Sequence, residues 1–190
     1  MLKLATPHFL LRDFLASDID AYFALRDDDK FQRFYPEADR SRQKAQCLLE
    51  MFIAQSLAVP RQKFQLAITN QADELIGSIG LRIEAPGVAS LGCELGRRWQ
   101  ASGAAKEVAQ VMLDFGFHDL QLQRIFAETM ADNKAAIKLC MALGMQIEET
   151  KTATHYFKSR AWDSVLLAIN KPSSVTPYSI CEHETSNGMY

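Results

Sequence analysis

The spacing of apolar positions changes character several times along the chain. Leu10 and Leu11 sit in a short apolar stretch that reads as a strand closing near Phe14. Ser17, with Asp20 three residues later, has the form of an N-cap and box opening a helix that reaches about Asp28. A second helix starts at Ser41, where Ala45, Leu48, Leu49 and Phe52 make a stripe at spacings of three and four. The period then becomes two. Phe64, Leu66 and Ile68 alternate with Gln65, Ala67 and Thr69, the pattern of a half-buried strand. Asn70 to Asp73 is a polar turn, and Leu75 to Ile83 is the returning strand of a hairpin. After the break at Pro86-Gly87 comes a strand from Ser90 to about Arg97. In it Leu91, Cys93 and Leu95 share one face, and Gly92, Glu94 and Gly96 the other.

The helical period returns from Ala104 to about Phe117, with Ala105, Val108, Met112 and Phe115 as the buried stripe. Ile125, Ala127 and Thr129 alternate along a following strand. Asp132-Asn133 then caps a helix carrying Ala136, Leu139, Cys140 and Leu143, which Gly144 stops. Two further strands follow, around Met145 to Lys151 and Trp162 to Ile169. From Lys171 onward the residues are mostly polar, with Pro172 and Pro177 and no periodicity, so residues 171–190 read as a tail outside a domain of residues 1–170. This order predicts an α+β fold: one mixed sheet of six to seven strands with helices on its faces.

Composition narrows the function classes. With 190 residues, 48% hydrophobic and 23% charged, the chain has enough apolar material for one globular core and is not of the disordered type. Its net charge of -2 gives no global attraction to nucleic acid or to an anionic membrane. No apolar run is long enough to span a bilayer, and Met1 to Phe14 lacks the apolar core of a signal peptide, so a cytoplasmic protein is expected. Cys47, Cys93, Cys140 and Cys181 form no CxxC pair, and His8, His118, His155 and His183 are scattered. Nothing in these spacings argues for a metal.

Candidate chemistry concentrates where the strand ending near Arg97 turns into the helix opening at Ala104. A helix start offers unpaired N–H groups and a partial positive charge, and the small residues Ala101, Ser102, Gly103, Ala104 and Ala105 let a ligand approach the backbone. Arg97, Arg98 and Lys106 add positive charge. The unit points to a phosphate-bearing ligand, yet it matches neither GxxxxGK[ST] nor GxGxxG.

Gln100-x-x-Gly103-x-Ala105 resembles the [Q/R]-x-x-G-x-[G/A] pyrophosphate motif of the GNAT acetyltransferase superfamily. The segment from Asn133 through Ala136, Lys138, Cys140 and Leu143 to Gly144-Met145 resembles that superfamily's second cofactor segment. Leu10-Leu11-Arg12 through Ser17-Asp18, with Trp99 and Trp162-Asp163, is similar to the RimJ/RimL-type branch. The resemblance spans roughly residues 5 to 170 and implies a GNAT fold: a mostly antiparallel sheet splayed between two parallel central strands. It also implies acetyl-CoA as cofactor and an amine acceptor, either a protein N-terminus or a small molecule, with no nucleic acid or membrane partner. Homodimerisation stays open, with the tail as one candidate exchanged arm.

Residue by residue, the resemblance gives the N–H groups from Ala101 to Ala105 to the pyrophosphate, with Gln100 shaping the turn. Leu95, Gly96 and Arg97 would pair through their backbone with the pantetheine arm, and an N–H near Leu95-Gly96 would polarise the thioester carbonyl. Asn133 would contact the cofactor where the central strands part, and Lys138 and Arg98 would face its phosphates. Glu94 is the candidate base; its alternative is a carboxylate paired with Arg82 or Arg124, or one merely solvated. Cys140 stands where many members carry a Tyr and Ala136 where the branch often has Ser, so Cys140 is the one candidate acid, beside its reading as a small apolar core residue. A non-catalytic acyl-CoA-binding module is the alternative function. Phe31, Phe34 and Tyr35 are read as one wall of an acceptor site or as a cap on the core, Arg26 to Lys30 as a solvated helix end standing where the branch places acceptor-facing residues, and His155-Tyr156 as a surface loop or a lining of the acceptor pocket.

Overall fold

The computed structural model describes residues 1–29 and 31–172; the expected tail beyond Pro172, with Pro177, and the residue Lys30 lie outside the described residues. Eight strands form one sheet in the order β1-β2-β3-β4-β5-β6-β8-β7. They are β1 (Lys3–Ala5), β2 (Leu10–Asp13), β3 (Lys63–Thr69), β4 (Leu75–Ala85), β5 (Val88–Leu95), β6 (Arg124–Met130), β7 (Gln146–Phe157) and β8 (Arg160–Asn170). Every neighbouring pair is antiparallel except β5–β6. Four α-helices cover it: α1 (Ile19–Arg26), α2 (Arg42–Ser56), α3 (Ala104–His118) and α4 (Lys134–Ala142).

The sheet divides the interior in two. Leu66, Ile68, Ile79 and Leu81 meet Val108, Met112 and Phe115 of α3, with Cys140 and Leu143 of α4 in the same core. On the other side Phe14, Tyr22, Ala45, Leu49, Phe52 and Ala67 form a smaller core beneath α1 and α2. The alternation along β3 follows directly, since successive side chains point to opposite faces. Ala67 and Thr69 are fully buried, so β3 is covered on both faces and not half-buried as its alternation suggests.

Local signals place most boundaries. Ser41 caps α2 by accepting the Lys44 N–H at 3.1 Å. Asn133 caps α4 by accepting the Ala136 N–H at 3.3 Å. The start of α1 differs from expectation. Asp18, not Ser17, organises it: its carboxylate accepts the Leu15 N–H at 2.8 Å and two guanidinium bonds from buried Arg12, at 2.8 and 2.9 Å. A buried charge pair needs such paired geometry to offset its desolvation. The sheet also exceeds the expected six to seven strands, because β1 adds an edge and pairs Leu4 with Leu11. Among the described residues no helix is long and apolar enough to cross a membrane.

Candidate active site

The site is built around a divergence. β5 and β6 pair only at Val88–Arg124, Ala89–Ile125 and Ser90–Phe126, yet β5 continues to Leu95 and β6 to Met130. The two strands therefore part after Ser90. The Gly96 N–H donates to Ile76 O at 2.8 Å. Antiparallel partners alternate between hydrogen-bonded and non-bonded pairs, so Gly92 and Glu94 likewise turn their backbone groups toward β4. Cys93 and Leu95 turn theirs into the gap. Of the expected pair Leu95-Gly96, the Gly96 N–H is engaged, and the gap-facing donors are those of Leu95 and Cys93.

At the mouth of the gap, Arg97–Trp99 form a short 3-10 turn and the chain then reaches α3. Gln100 Nε2 donates to Leu95 O at 3.1 Å and Ser102 Oγ to Trp99 O at 2.7 Å, which fixes the loop from within. Ala101 (φ 60°) and Gly103 (φ 90°) are left-handed. The Ala104 N–H bonds Ser102 Oγ at 3.3 Å, whereas those of Ala101, Ser102, Gly103 and Ala105 have no acceptor among the described residues. A Cβ on Gly103 would meet nothing within 4 Å, so the turn opens outward. Free N–H groups, left-handed kinks and a helix start make an anion-binding concavity. Exposed Arg97, Arg98 and Lys106 surround it. The donor set fits a pyrophosphate.

The turn is braced from behind. Trp99 meets Phe9 edge-on at 5.8 Å. Glu107, in the first turn of α3, accepts from Thr6 Oγ1 at 2.6 Å and from the His8 N–H at 2.9 Å, with His8 Nδ1 at 3.0 Å. Burial pushes the Glu107 carboxyl up, but the bonds from Thr6 and His8 outweigh it and hold it below its ordinary value.

Glu94 lies under α1. Tyr35 Oη donates to Glu94 Oε1 at 2.6 Å and Ser78 Oγ to Oε2 at 3.2 Å, while Gln65 Nε2 donates to Ser78 Oγ at 3.2 Å. Neither Arg82 nor Arg124 pairs with it, and Arg124 instead forks onto Glu148. Burial, then the charge of Glu94 and the bond to it, raise the Tyr35 hydroxyl well above its usual value, so it stays a donor. Beside Glu94, Gly92 faces open space within 4 Å. Arg26 departs from its reading as part of a solvated end: it is buried, lies 5.7 Å from the ring centres of Tyr22 and Tyr35, and donates to Asp39 O at 3.2 Å. Asp27 and Asp29, in contrast, hold exposed Arg40.

The wall opposite comes from the β7–β8 hairpin. Trp162 meets Phe34 edge-on at 5.8 Å and stacks on Phe157 at 5.0 Å, and Lys158 Nζ donates to Gln32 O at 2.6 Å. The Phe31 side chain lies outside the described residues. His155 and Tyr156 belong to β7 and not to a loop, with His155 paired to Trp162.

The remaining expected residues sit on α4 and its approach. Asn133 spends its side-chain oxygen on the helix cap, and Lys138 is exposed. Cys140 is buried in the α3-side core, against which Cys93 packs. Burial, then the charge of Glu94, pushes the Cys93 thiol up to about 12, and burial raises Cys140 also. Both are neutral thiols at physiological pH, so neither is a thiolate nucleophile. A cleft of about 620 Å³ lies next door, between Ala21 and Leu25 of α1 and Ile76, Gly96, Arg97 and Trp99. It shares the turn with the site but includes neither Glu94 nor Cys140.

Sequence reasoning missed the partners of Glu94. Ser78 was legible, because the hairpin register sets it opposite Glu94 on one face. Tyr35 is legible only as part of an acceptor wall or a cap on the core; its bond to Glu94, 59 positions away, has no local signal.

The family described as Acetyltransferase (GNAT) domain matches residues 8–146. An uncharacterized N-acetyltransferase, p20, of Bacillus licheniformis is 30% identical over 176 residues, 90% of this chain and 97% of that protein. Among solved structures, the ribosomal-protein-S5-alanine acetyltransferase of Vibrio fischeri superimposes with a TM-score of 0.77 at 18% identity, covering 90% of this chain and 100% of the other. RimL, a ribosomal L7/L12 α-N-protein acetyltransferase solved with coenzyme A, gives 0.79 at 17% identity, covering 89% and 98%.

Proposed function

The chain belongs to the GNAT acetyltransferase family, and on that premise we propose that it moves an acetyl group to a primary amine by direct attack within a ternary complex. Acetyl-CoA is the cofactor, and it supplies the activated thioester. We assign the acceptor to the RimJ/RimL class, a protein N-terminus or a small amine, and the acetyltransferase domain to residues 1–170. The observation that carries this reading is the parting of β5 and β6 into a gap. The gap ends on the unpaired N–H groups of Ala101, Ser102, Gly103 and Ala105.

Each residue has a defined task. The turn holds the pyrophosphate through its N–H groups, with Arg97, Arg98 and Lys106 adding charge and Lys138 and Asn133 flanking the far side. Cys93 and Leu95 present N–H groups to the carbonyl end of the gap, where a fixed donor stabilises developing charge. Glu94, oriented by Tyr35 and Ser78, accepts the proton of the incoming amine. An α-amine with pKa near 8 needs only about 1 kcal/mol for deprotonation at neutral pH, against about 4 for a lysine side chain, so one oriented carboxylate suffices for the former. Cys140 is the candidate donor to the departing sulfur, but burial makes it a weak acid, and coenzyme A thiolate leaves with little acid assistance.

The test is release of free thiol from acetyl-CoA with N-terminal peptides, polyamines and aminoglycosides as acceptors, run beside thermal shift with acetyl-CoA. Stabilisation with acceptor-dependent release is expected. Stabilisation without release from any amine would leave only the non-catalytic binding module, and no stabilisation would remove both.

A further inference from the structure

The 3-10 turn Phe31–Phe34 and the β7–β8 hairpin meet beside Glu94: Tyr35 touches Glu94 and its neighbour Phe34 touches Trp162. Three cations stand around that contact. The Arg33 guanidinium lies 5.1 Å from the Phe34 ring centre and that of Arg160 4.1 Å from the Trp162 ring centre. Lys158 is tethered to Gln32 O, one residue from Arg33. Among the described residues Arg33 and Lys158 have no carboxylate within ion-pair distance, and Arg160 has only Asp132. That pair is about half exposed on both sides, so it competes weakly with an incoming anion. Of the acidic groups on the hairpin, Asp163 accepts the Ala153 N–H at 2.9 Å, Glu148 pairs with Arg124 and Glu149 with Lys151.

The contact between turn and hairpin therefore has a carboxylate, Glu94, at one end and the three cations around the other. Resting on the acetyltransferase reading above, we propose that the acceptor is an amine that also carries an anionic group, which Arg33, Lys158 and Arg160 bind while the ammonium end is drawn toward Glu94. An acidic residue a short way behind a peptide N-terminus has this chemistry, and so does a small amine bearing a carboxylate. The aromatic surfaces of Phe34 and Trp162 hold the guanidinium planes in place, so the collar is ordered before a ligand arrives.

The experiment compares kcat/KM for three peptides that share one N-terminal residue and differ in the next residues, Asp-Glu, Gln-Gln or Lys-Lys, with a free acidic dipeptide as the small-molecule arm. The wild type should favour the acidic over the basic peptide by about tenfold or more, most of it in KM. Activity on the dipeptide at the level of the acidic peptide would make the anionic small amine sufficient, and much lower activity would assign the acceptor to longer peptides; either agrees with the collar. In Arg33→Glu/Arg160→Glu the preference should reverse, while the KM for acetyl-CoA stays put and the protein remains folded by circular dichroism. A loss of packing alone would not reverse a preference. Equal use of the three peptides by the wild type, or a preference unchanged in the charge-reversed variant, would overturn the proposal. Fluorescence anisotropy of the same peptides, labelled at the C-terminus, with the acetyl-CoA-loaded protein separates it from the catalytic reading. Selective binding of the acidic peptide without thiol release would uphold the collar and sink the transferase step; absence of selectivity in binding would sink the collar itself.

Discussion

Tyr35 donates its hydroxyl to Glu94 at 2.6 Å, tying the connection between α1 and α2 to the middle strand of the sheet. Ser78 binds the other carboxylate oxygen, so the group has one fixed orientation. Glu94→Gln keeps the shape and removes the proposed proton acceptor; kcat should fall by about 10²-fold or more, with acetyl-CoA affinity unchanged. Tyr35→Phe removes only the orienting bond and should lower kcat by a smaller factor, about five- to tenfold. If Tyr35→Phe costs as much as Glu94→Gln, Tyr35 does more than position.

The left-handed residues of the turn from Gln100 to Ala105 give opposite expectations. Ala101 at φ 60° carries a strain that glycine lacks, so Ala101→Gly should stabilise the protein by about 1 kcal/mol in urea denaturation. Gly103 at φ 90° has open space for a Cβ but not the backbone freedom, so Gly103→Ala should destabilise by about 1 kcal/mol.

Cys93 should leave a mark at alkaline pH. Its thiol is held up to about 12 in the folded chain and ionises near 9 when unfolded. The unfolded state thus binds fewer protons between these values. The contribution is complete below pH 9 and is lost as pH rises toward 12, with a slope of up to about 1.4 kcal/mol per pH unit. Cys93→Ala should show a shallower alkaline decline, measured by urea denaturation at pH 8.5, 9.5 and 10.5. Parallel declines would show that the thiol is not shielded.

Glu107 acts at the other end of the scale. Its carboxyl is held low by Thr6 and His8, so the stabilisation is present above the ordinary carboxylate range and is lost as pH falls through the lowered value. Glu107→Gln should flatten the acid limb of stability and loosen the turn that Phe9 and Trp99 brace. A rise in KM for acetyl-CoA with kcat unchanged is expected.

What the sequence disclosed and what it hid have physical reasons. Helices α3 and α4 and the turn between β5 and α3 depend on local periodicity, on Gly103 and on the Asn133 cap, each lying within a few residues of the element it sets. The Glu94–Tyr35 pair and the burial of Arg26 depend on how an irregular segment folds back over the sheet, which no local pattern encodes. β7 is legible only to Lys151, because the strand is exposed from Gln146 to Tyr156 and no buried face imposes an apolar alternation that would mark its full length. Arg12 and Asp18 were visible as part of a family opening, but their bidentate pairing became clear only from the close approach of β2 and the start of α1.

The central claim is that the turn from Gln100 to Ala105 holds acetyl-CoA by its pyrophosphate. Calorimetric titration of acetyl-CoA into the wild type and into Gly103→Glu tests it most directly. A carboxylate at that position faces the bound phosphates, and affinity should fall at least about a hundredfold, beyond what the loss of about 1 kcal/mol in fold stability explains. An unchanged affinity in a folded Gly103→Glu protein would contradict the placement of the cofactor at this turn.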